Sequence, residues 1–227
     1  MAGVIKRKSF SLKAGLLLGA AVALTLLSMG GALPTWSAFV LWAIFLVFMI
    51  SNLVEGKKAA ASDEVDSYEK KEIPSKILFF ILGTAGIVLG AEFLVGSGQT
   101  IAKGFGISEA IIGFTVIALG TSLPEFVTTL TAIKKKEAGL SVGNIIGANL
   151  FNLVLVSGVS ISINPFDVPV SGYIAGVNSS LILDIPIMLG VMLILTIPTL
   201  IKQKLSRWQG VLLLCTYIAY TVLLFVL

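Results

Sequence analysis

Several uninterrupted apolar runs, each about 20 residues long, constrain this chain before anything else does. Examples are the stretch from Lys13 to Gly31 near the start and the stretch from Trp208 to Leu227 at the end. Inside hydrocarbon every backbone amide must find its partner within the protein, which leaves helices or a closed barrel. Barrel strands alternate apolar and polar residues, and these runs do not. With 12% charged residues and a mean hydropathy of +1.01, the chain lacks the polar surface of a water-soluble domain. The expected fold is therefore all-α, a polytopic membrane protein of seven transmembrane helices.

Taken in order, the pattern predicts a first span over residues 13–31 and a second over 36–53, with Gly30, Gly31 and Pro34 turning the chain between them. The apolar run after the basic N-terminus is too long for a signal peptide and lacks a small-residue cleavage site, so it reads as a retained span. Residues 55–76, EGKKAAASDEVDSYEKKEIPSK, form the one long polar stretch and read as a solvated linker. A third span is expected over 77–98, then a connection over 99–109 with Ser108 as N-cap. Spans four and five form a hairpin turning at 134–139. A loop through Asn164, Pro165, Asp167, Pro169 and Gly172 leads to a sixth span over 173–200 and a seventh over 208–227.

Charge sets the expected orientation. Of the 16 Lys and Arg residues, all but Lys103 fall on one side of a seven-span arrangement. By the positive-inside rule the N-terminus is cytoplasmic and the C-terminus outside, with 55–76 a cytoplasmic linker. The basic residues are loop lysines with no stripe on a soluble domain, which argues against nucleic acid as a partner. The absence of His removes histidine catalysis and histidine ligation, and the lone Cys215 excludes an internal disulfide. Ser122 has no His or evident Lys base near it, so hydrolysis is disfavoured and an enzyme is not expected.

The polar residues at bilayer depth concentrate in the hairpin from Gly113 to Gly158. Such residues are costly in hydrocarbon and mark a cation site or pathway by default. Pro124 cannot donate a backbone hydrogen bond, so it kinks the fourth span and frees the carbonyl of Gly120. Beside it Thr121, Ser122 and Glu125 gather oxygen atoms, which suit hard cations such as Ca2+ and Na+. Across the turn Asn144, Asn149 and Asn152 offer carboxamides, with Gly143 and Gly147 permitting close approach. A glycine-rich packing seam with asparagines bonding between helices is the alternative, and for Asn144 and Asn149 taken singly it is the preferred one. Glu92 in the third span reads first as an interfacial or paired carboxylate, and Asp184 in the sixth as an exposed or capping acid.

GTSLPE at Gly120 to Glu125, followed by GNIIGANLFN at Gly143 to Asn152, resembles an α-repeat of the calcium/cation antiporter superfamily, prokaryotic sodium/calcium exchanger type. The resemblance implies Thr121, Ser122, Glu125 and the backbone carbonyl of Ala118 as ion ligands, faced by Asn152, while Gly143, Asn144, Gly147 and Asn149 shape the packing. It implies antiport of Ca2+ against Na+ or H+ by alternating access in a plasma membrane, with the ions as cargo and no cofactor. Ala148 stands where the family motif has serine, which weakens one sodium site. The family is similar to ten spans in two inverted halves, each with an α-repeat. This chain then corresponds to a partial inverted-repeat fold: 1–54 as the helix pair ending a first half, and 77–227 as a second half of five helices. The first three helices and first α-repeat are expected to be missing, through truncation or because a second chain supplies them. A non-transporting cation-binding subunit is the alternative. A weak internal repeat agrees with inversion: Leu24-Thr25 then LPTW at Leu33 to Trp36 matches Leu195-Thr196 then LSRW at Leu205 to Trp208.

Overall fold

The computed structural model describes residues 7–61, 73–107, 109–170 and 172–226. Helices α1 (Arg7–Ser28) and α2 (Thr35–Ala61) form the first pair, and α3 (Ile73–Gly104) follows. The fourth span is assembled from pieces: α4 (Glu109–Ile112), a π-helical turn (Gly113–Ile117), α5 (Ala118–Thr121) and α6 (Leu123–Lys134). The fifth comprises α7 (Ala138–Phe151), a second π turn (Asn152–Val156) and α8 (Ser157–Ile163). A third π turn (Ser180–Asp184) opens α9 (Ile185–Lys202), and α10 (Arg207–Val226) follows. Among the described residues six helices are long and apolar enough to cross a membrane, or seven when the bent pair around Ser122 is counted as one span.

Several predicted boundaries move, for local reasons. Helix α2 runs to Ala61, well into the polar linker, because Lys57, Lys58 and three alanines are strong helix formers. Residues 62–72 of that linker, and the predicted cap Ser108, lie outside the described residues. Helix α3 starts at Ile73, with Pro74 in the first turn where its missing N–H is harmless. It continues through the expected connection to Gly104. There Gly106, at φ +75°, closes the helix: its N–H donates to Lys103 O at 2.9 Å and the Ile107 N–H to Ala102 O at 3.1 Å, a Schellman cap. Residues 173–178, predicted as helix, are instead a hairpin of β3 (Tyr173–Ile174) and β4 (Val177–Asn178). Ala175 and Gly176, at φ +51° and +80°, make its tight turn.

The chain packs as two compact units, residues 1–51 with 129–227, and residues 52–128. In the first, α1 packs on α7 and α9 around Leu17, Leu41, Ile146 and Leu150, all fully buried. Helix α2 approaches α8 at Gly158, where an added Cβ would sit 3.6 Å from the Trp42 ring. Trp42 Nε1 donates to Ser162 Oγ at 3.1 Å, and Trp42, Phe45 and Phe151 stack edge to face. In the second unit, α3 packs on the first π turn and α5 through two glycines. An added Cβ would lie 2.7 Å from Val116 Cγ1 at Gly98 and would collide with Val95 at Gly120.

A short ladder tests the span count. Strand β1 (Ala32–Leu33), in the turn between α1 and α2, pairs antiparallel with β2 (Phe166–Asp167), in the loop after α8, with Ala32 opposite Asp167. Those two loops therefore share one side of the membrane. Between them the chain runs through α2, α3, the bent pair and the α7 to α8 span. An even number of crossings returns the chain to the same side, which agrees with counting the bent pair as one span. Thr25 Oγ1 donates to Ala21 O at 2.8 Å and Thr196 Oγ1 to Met192 O at 2.6 Å, each four residues back along its helix.

Candidate ion site

The fourth span breaks at Ser122, whose φ of −87° and ψ of −4° leave the helical register. The break follows from Pro124. Placed second in α6, the proline occupies a first-turn position that needs no N–H, so the chain ends one helix and begins another there. The two pieces meet at 43°. The expected kink is thus realised as a discontinuity, and the last turn of α5 tightens, with the Ser122 N–H donating to Leu119 O at 3.2 Å.

Three of the five expected ligand positions converge on one point of this break. Thr121 Oγ1 donates to Ala118 O at 3.1 Å and Ser122 Oγ donates to the same carbonyl at 3.0 Å. Both hydroxyl oxygens keep lone pairs, so the arrangement is a concentrated group of oxygens on an exposed helix end. Glu125 sits in the first turn of α6, one turn beyond Thr121. It is half-buried, with Oε2 shielded from solvent.

Asn152, the fifth position, lies in the other compact unit, as the first residue of the second π turn, and is exposed. The first π turn ends immediately before Ala118. A π turn inserts one residue into the helical register, redirecting the side chains around it, and such turns concentrate at functional sites. Both sets of expected ligands thus adjoin one. Hydrophobic periodicity carries no signal for this feature, which depends on how the helix is packed.

The remaining hairpin residues take structural roles. Asn144 Nδ2 donates to Thr129 Oγ1 at 3.1 Å, joining α7 to α6 across their turn. Asn149 Nδ2 donates to Ile145 O at 2.8 Å, within its own helix and not between helices. An added Cβ at Gly143 or Gly147 meets nothing within 4 Å among the described residues. Glu92 is exposed on α3. Asp184 stands at the N-cap position of α9 but makes no side-chain cap bond. It is half-buried and accepts hydrogen bonds from Ser180 Oγ at 2.7 Å and Tyr220 OH at 3.0 Å. Tyr220 was not singled out from the sequence; a tyrosine within the last apolar run was the available signal.

Residues 75–226 match a family model described as sodium/calcium exchanger protein. The sodium/calcium exchanger MaX1 of Methanosarcina acetivorans is 36% identical over 149 residues, covering 66% of this chain and 40% of that protein. The inner membrane protein YrbG of Escherichia coli is 35% identical over 140 residues, covering 59% and 42%. A solved structure of the sodium-calcium exchanger NCX_Mj, soaked with zero Na+ and Ca2+, aligns with a TM-score of 0.64 at 25% identity, covering 94% of this chain and 64% of that one. The chain spans about half the length of the curated relatives it matches.

Proposed function

The chain belongs to the sodium/calcium exchanger family, a family of membrane transporters, and from that premise we propose that it takes part in exchange of Ca2+ against Na+ by alternating access. The observation that carries the proposal is the convergence of Thr121 and Ser122 hydroxyls on Ala118 O at a broken intramembrane helix, one turn before Glu125. Ala118 O, the two hydroxyls and the Glu125 carboxylate are the ligands in this reading, and Asn152 adds a carboxamide. Oxygen-only ligation suits both ions. Because one Ca2+ and the monovalent ions compete for the same carboxylate, occupancy by one excludes the other, and that exclusion couples the two fluxes. Exchange against H+ is retained as a second counter-ion, and Ala148, which lacks the hydroxyl of the family motif, bears on how many Na+ are carried.

Glu125 contributes one negative charge, and Ca2+ carries two positive charges into a medium of low dielectric. The reading therefore includes a further carboxylate from outside these ligands, supplied by a preceding segment or a second copy of the chain. Under it, 1–54 closes a first half, 55–76 is a cytoplasmic linker and 77–227 is the second half. The proposed setting is the plasma membrane, with the N-terminus cytoplasmic and the C-terminus outside.

The test is uptake of radiolabelled Ca2+ into proteoliposomes loaded with Na+, or acidified inside, for wild type and Glu125→Gln. Loss of one charge-assisted ligand is worth about 1.5–3 kcal/mol, so uptake falls by roughly tenfold or more. Uptake by Glu125→Gln at the wild-type rate refutes the site. Wild-type protein that Ca2+ stabilises against heat without any flux identifies a non-transporting subunit instead.

A further inference from the structure

We propose that the third π turn and α10 form a second cation site, for one Na+, built on Asp184 and using no residue of the hairpin. The turn Ser180–Asp184 places Ser180 and Asp184 so that Ser180 Oγ donates to Asp184 Oδ2 at 2.7 Å, while Tyr220 OH, from α10, donates to Oδ1 at 3.0 Å. The group is held from above. The Ser180 N–H donates to Asn178 Oδ1 at 2.9 Å, Asn178 Nδ2 donates to Val168 O at 3.1 Å and Pro169 O at 3.3 Å, and the Ser179 N–H donates to Gly172 O at 2.9 Å. Ser180 is 5% exposed and Ser179 is fully buried. The hydroxyls around Asp184 are thus pre-positioned by the β3 to β4 hairpin and its flanking loop.

A second, independent observation points to a ligand. Tyr217 OH and Thr221 Oγ1 are shielded from solvent and have no hydrogen-bond partner among the described residues. They lie four apart on α10 and flank Tyr220, so all three occupy one face of the helix. Buried hydroxyls left without a partner are costly, and two together call for a bound water or ion.

The chemistry selects the occupant. Asp184, Ser180, Tyr220, Tyr217 and Thr221 offer oxygens alone, two from the carboxylate and one from each hydroxyl, which favours a hard cation. A hydroxyl can give its hydrogen to the carboxylate and still present a lone pair to an ion. With one carboxylate the ligands carry a single negative charge, which Na+ neutralises; a divalent ion would leave a net charge in low dielectric.

The experiment uses the purified full chain in detergent, with thermal unfolding followed against NaCl at constant ionic strength set by choline chloride. Glu125→Gln serves as the background, to silence the hairpin. Na+ is expected to raise Tm in that background, and Asp184→Asn is expected to remove the rise. Tyr220→Phe and Ser180→Ala, which keep the carboxylate, are expected to move the half-saturating Na+ concentration up by roughly tenfold. They stand in if the Asp184 variant does not fold. A Na+ response unchanged by these substitutions, or matched by K+, overturns the proposal. So does a response already absent in Glu125→Gln, an outcome that leaves the hairpin reading standing. Failure of the hairpin reading is seen separately, as a Ca2+ response that survives Glu125→Gln.

Discussion

Helix α9 contains Pro198, which has no N–H to offer the carbonyl of Ile194 four residues earlier. A side chain fills the gap: Gln209 Nε2, from α10, donates to Ile194 O at 2.9 Å and to Thr199 Oγ1 at 3.0 Å. Its Oε1 accepts from the Ser206 N–H at 2.9 Å, which also ties down the turn between the two helices. Gln209 is 0% exposed, so none of these groups has water to fall back on. Gln209→Leu keeps the volume and removes all three bonds. The orphaned Ile194 carbonyl alone costs about 1–3 kcal/mol, and the other two bonds add roughly 1 kcal/mol each, giving a loss of about 3–5 kcal/mol. Pro198→Ala restores a backbone donor for Ile194 O. In that background Gln209→Leu should cost less, by about 1–3 kcal/mol. The double-mutant cycle is measured by SDS-titration unfolding of the four proteins in mixed micelles. An equal cost in both backgrounds would refute the claim that Gln209 compensates the proline.

Other outcomes follow from local geometry. Gly120→Ala drives a Cβ into Val95 and should destabilise by about 1–3 kcal/mol; Val95→Ala in the same chain should restore much of it, read by thermal unfolding. Lys136 adopts φ +63° at a Schellman cap, its N–H donating to Ile133 O at 3.0 Å and the Glu137 N–H to Ala132 O at 2.9 Å. Lys136→Gly should therefore stabilise by about 1 kcal/mol, seen as a higher Tm, whereas Lys136→Val should lower it. Trp42→Phe loses the bond to Ser162 and should cost about 1 kcal/mol, while Ser162→Ala on top of it should add little.

How much of this was legible in advance divides along physical lines. The number of spans follows from run length, because a bilayer demands a fixed helical length, and the hairpin announced itself because polar groups there are costly. Glu125, Thr121 and Ser122 could be singled out for the same reason, and Pro124 marked the break that gathers them. The helix ends were less legible. Residues 173–178 looked apolar enough for a span, yet the turn at Ala175 and Gly176 and the cap from Asn178 to Ser180 make them a hairpin. The extension of α2 to Ala61 turned on propensity outweighing polarity.

Composition and order alone determined that this is a polytopic helical membrane protein with an oxygen-rich break in its fourth span. Tertiary structure decided which polar groups meet. Gln209 reaches the carbonyl that Pro198 freed, Tyr220 meets Asp184 across 36 residues, and Asn144 bonds Thr129 and so serves packing. Such pairings depend on the register between helices, which side-chain packing sets and no single helix encodes. The three π turns belong with them, since an inserted residue costs a helix hydrogen-bond register and persists only where neighbouring elements hold it in place.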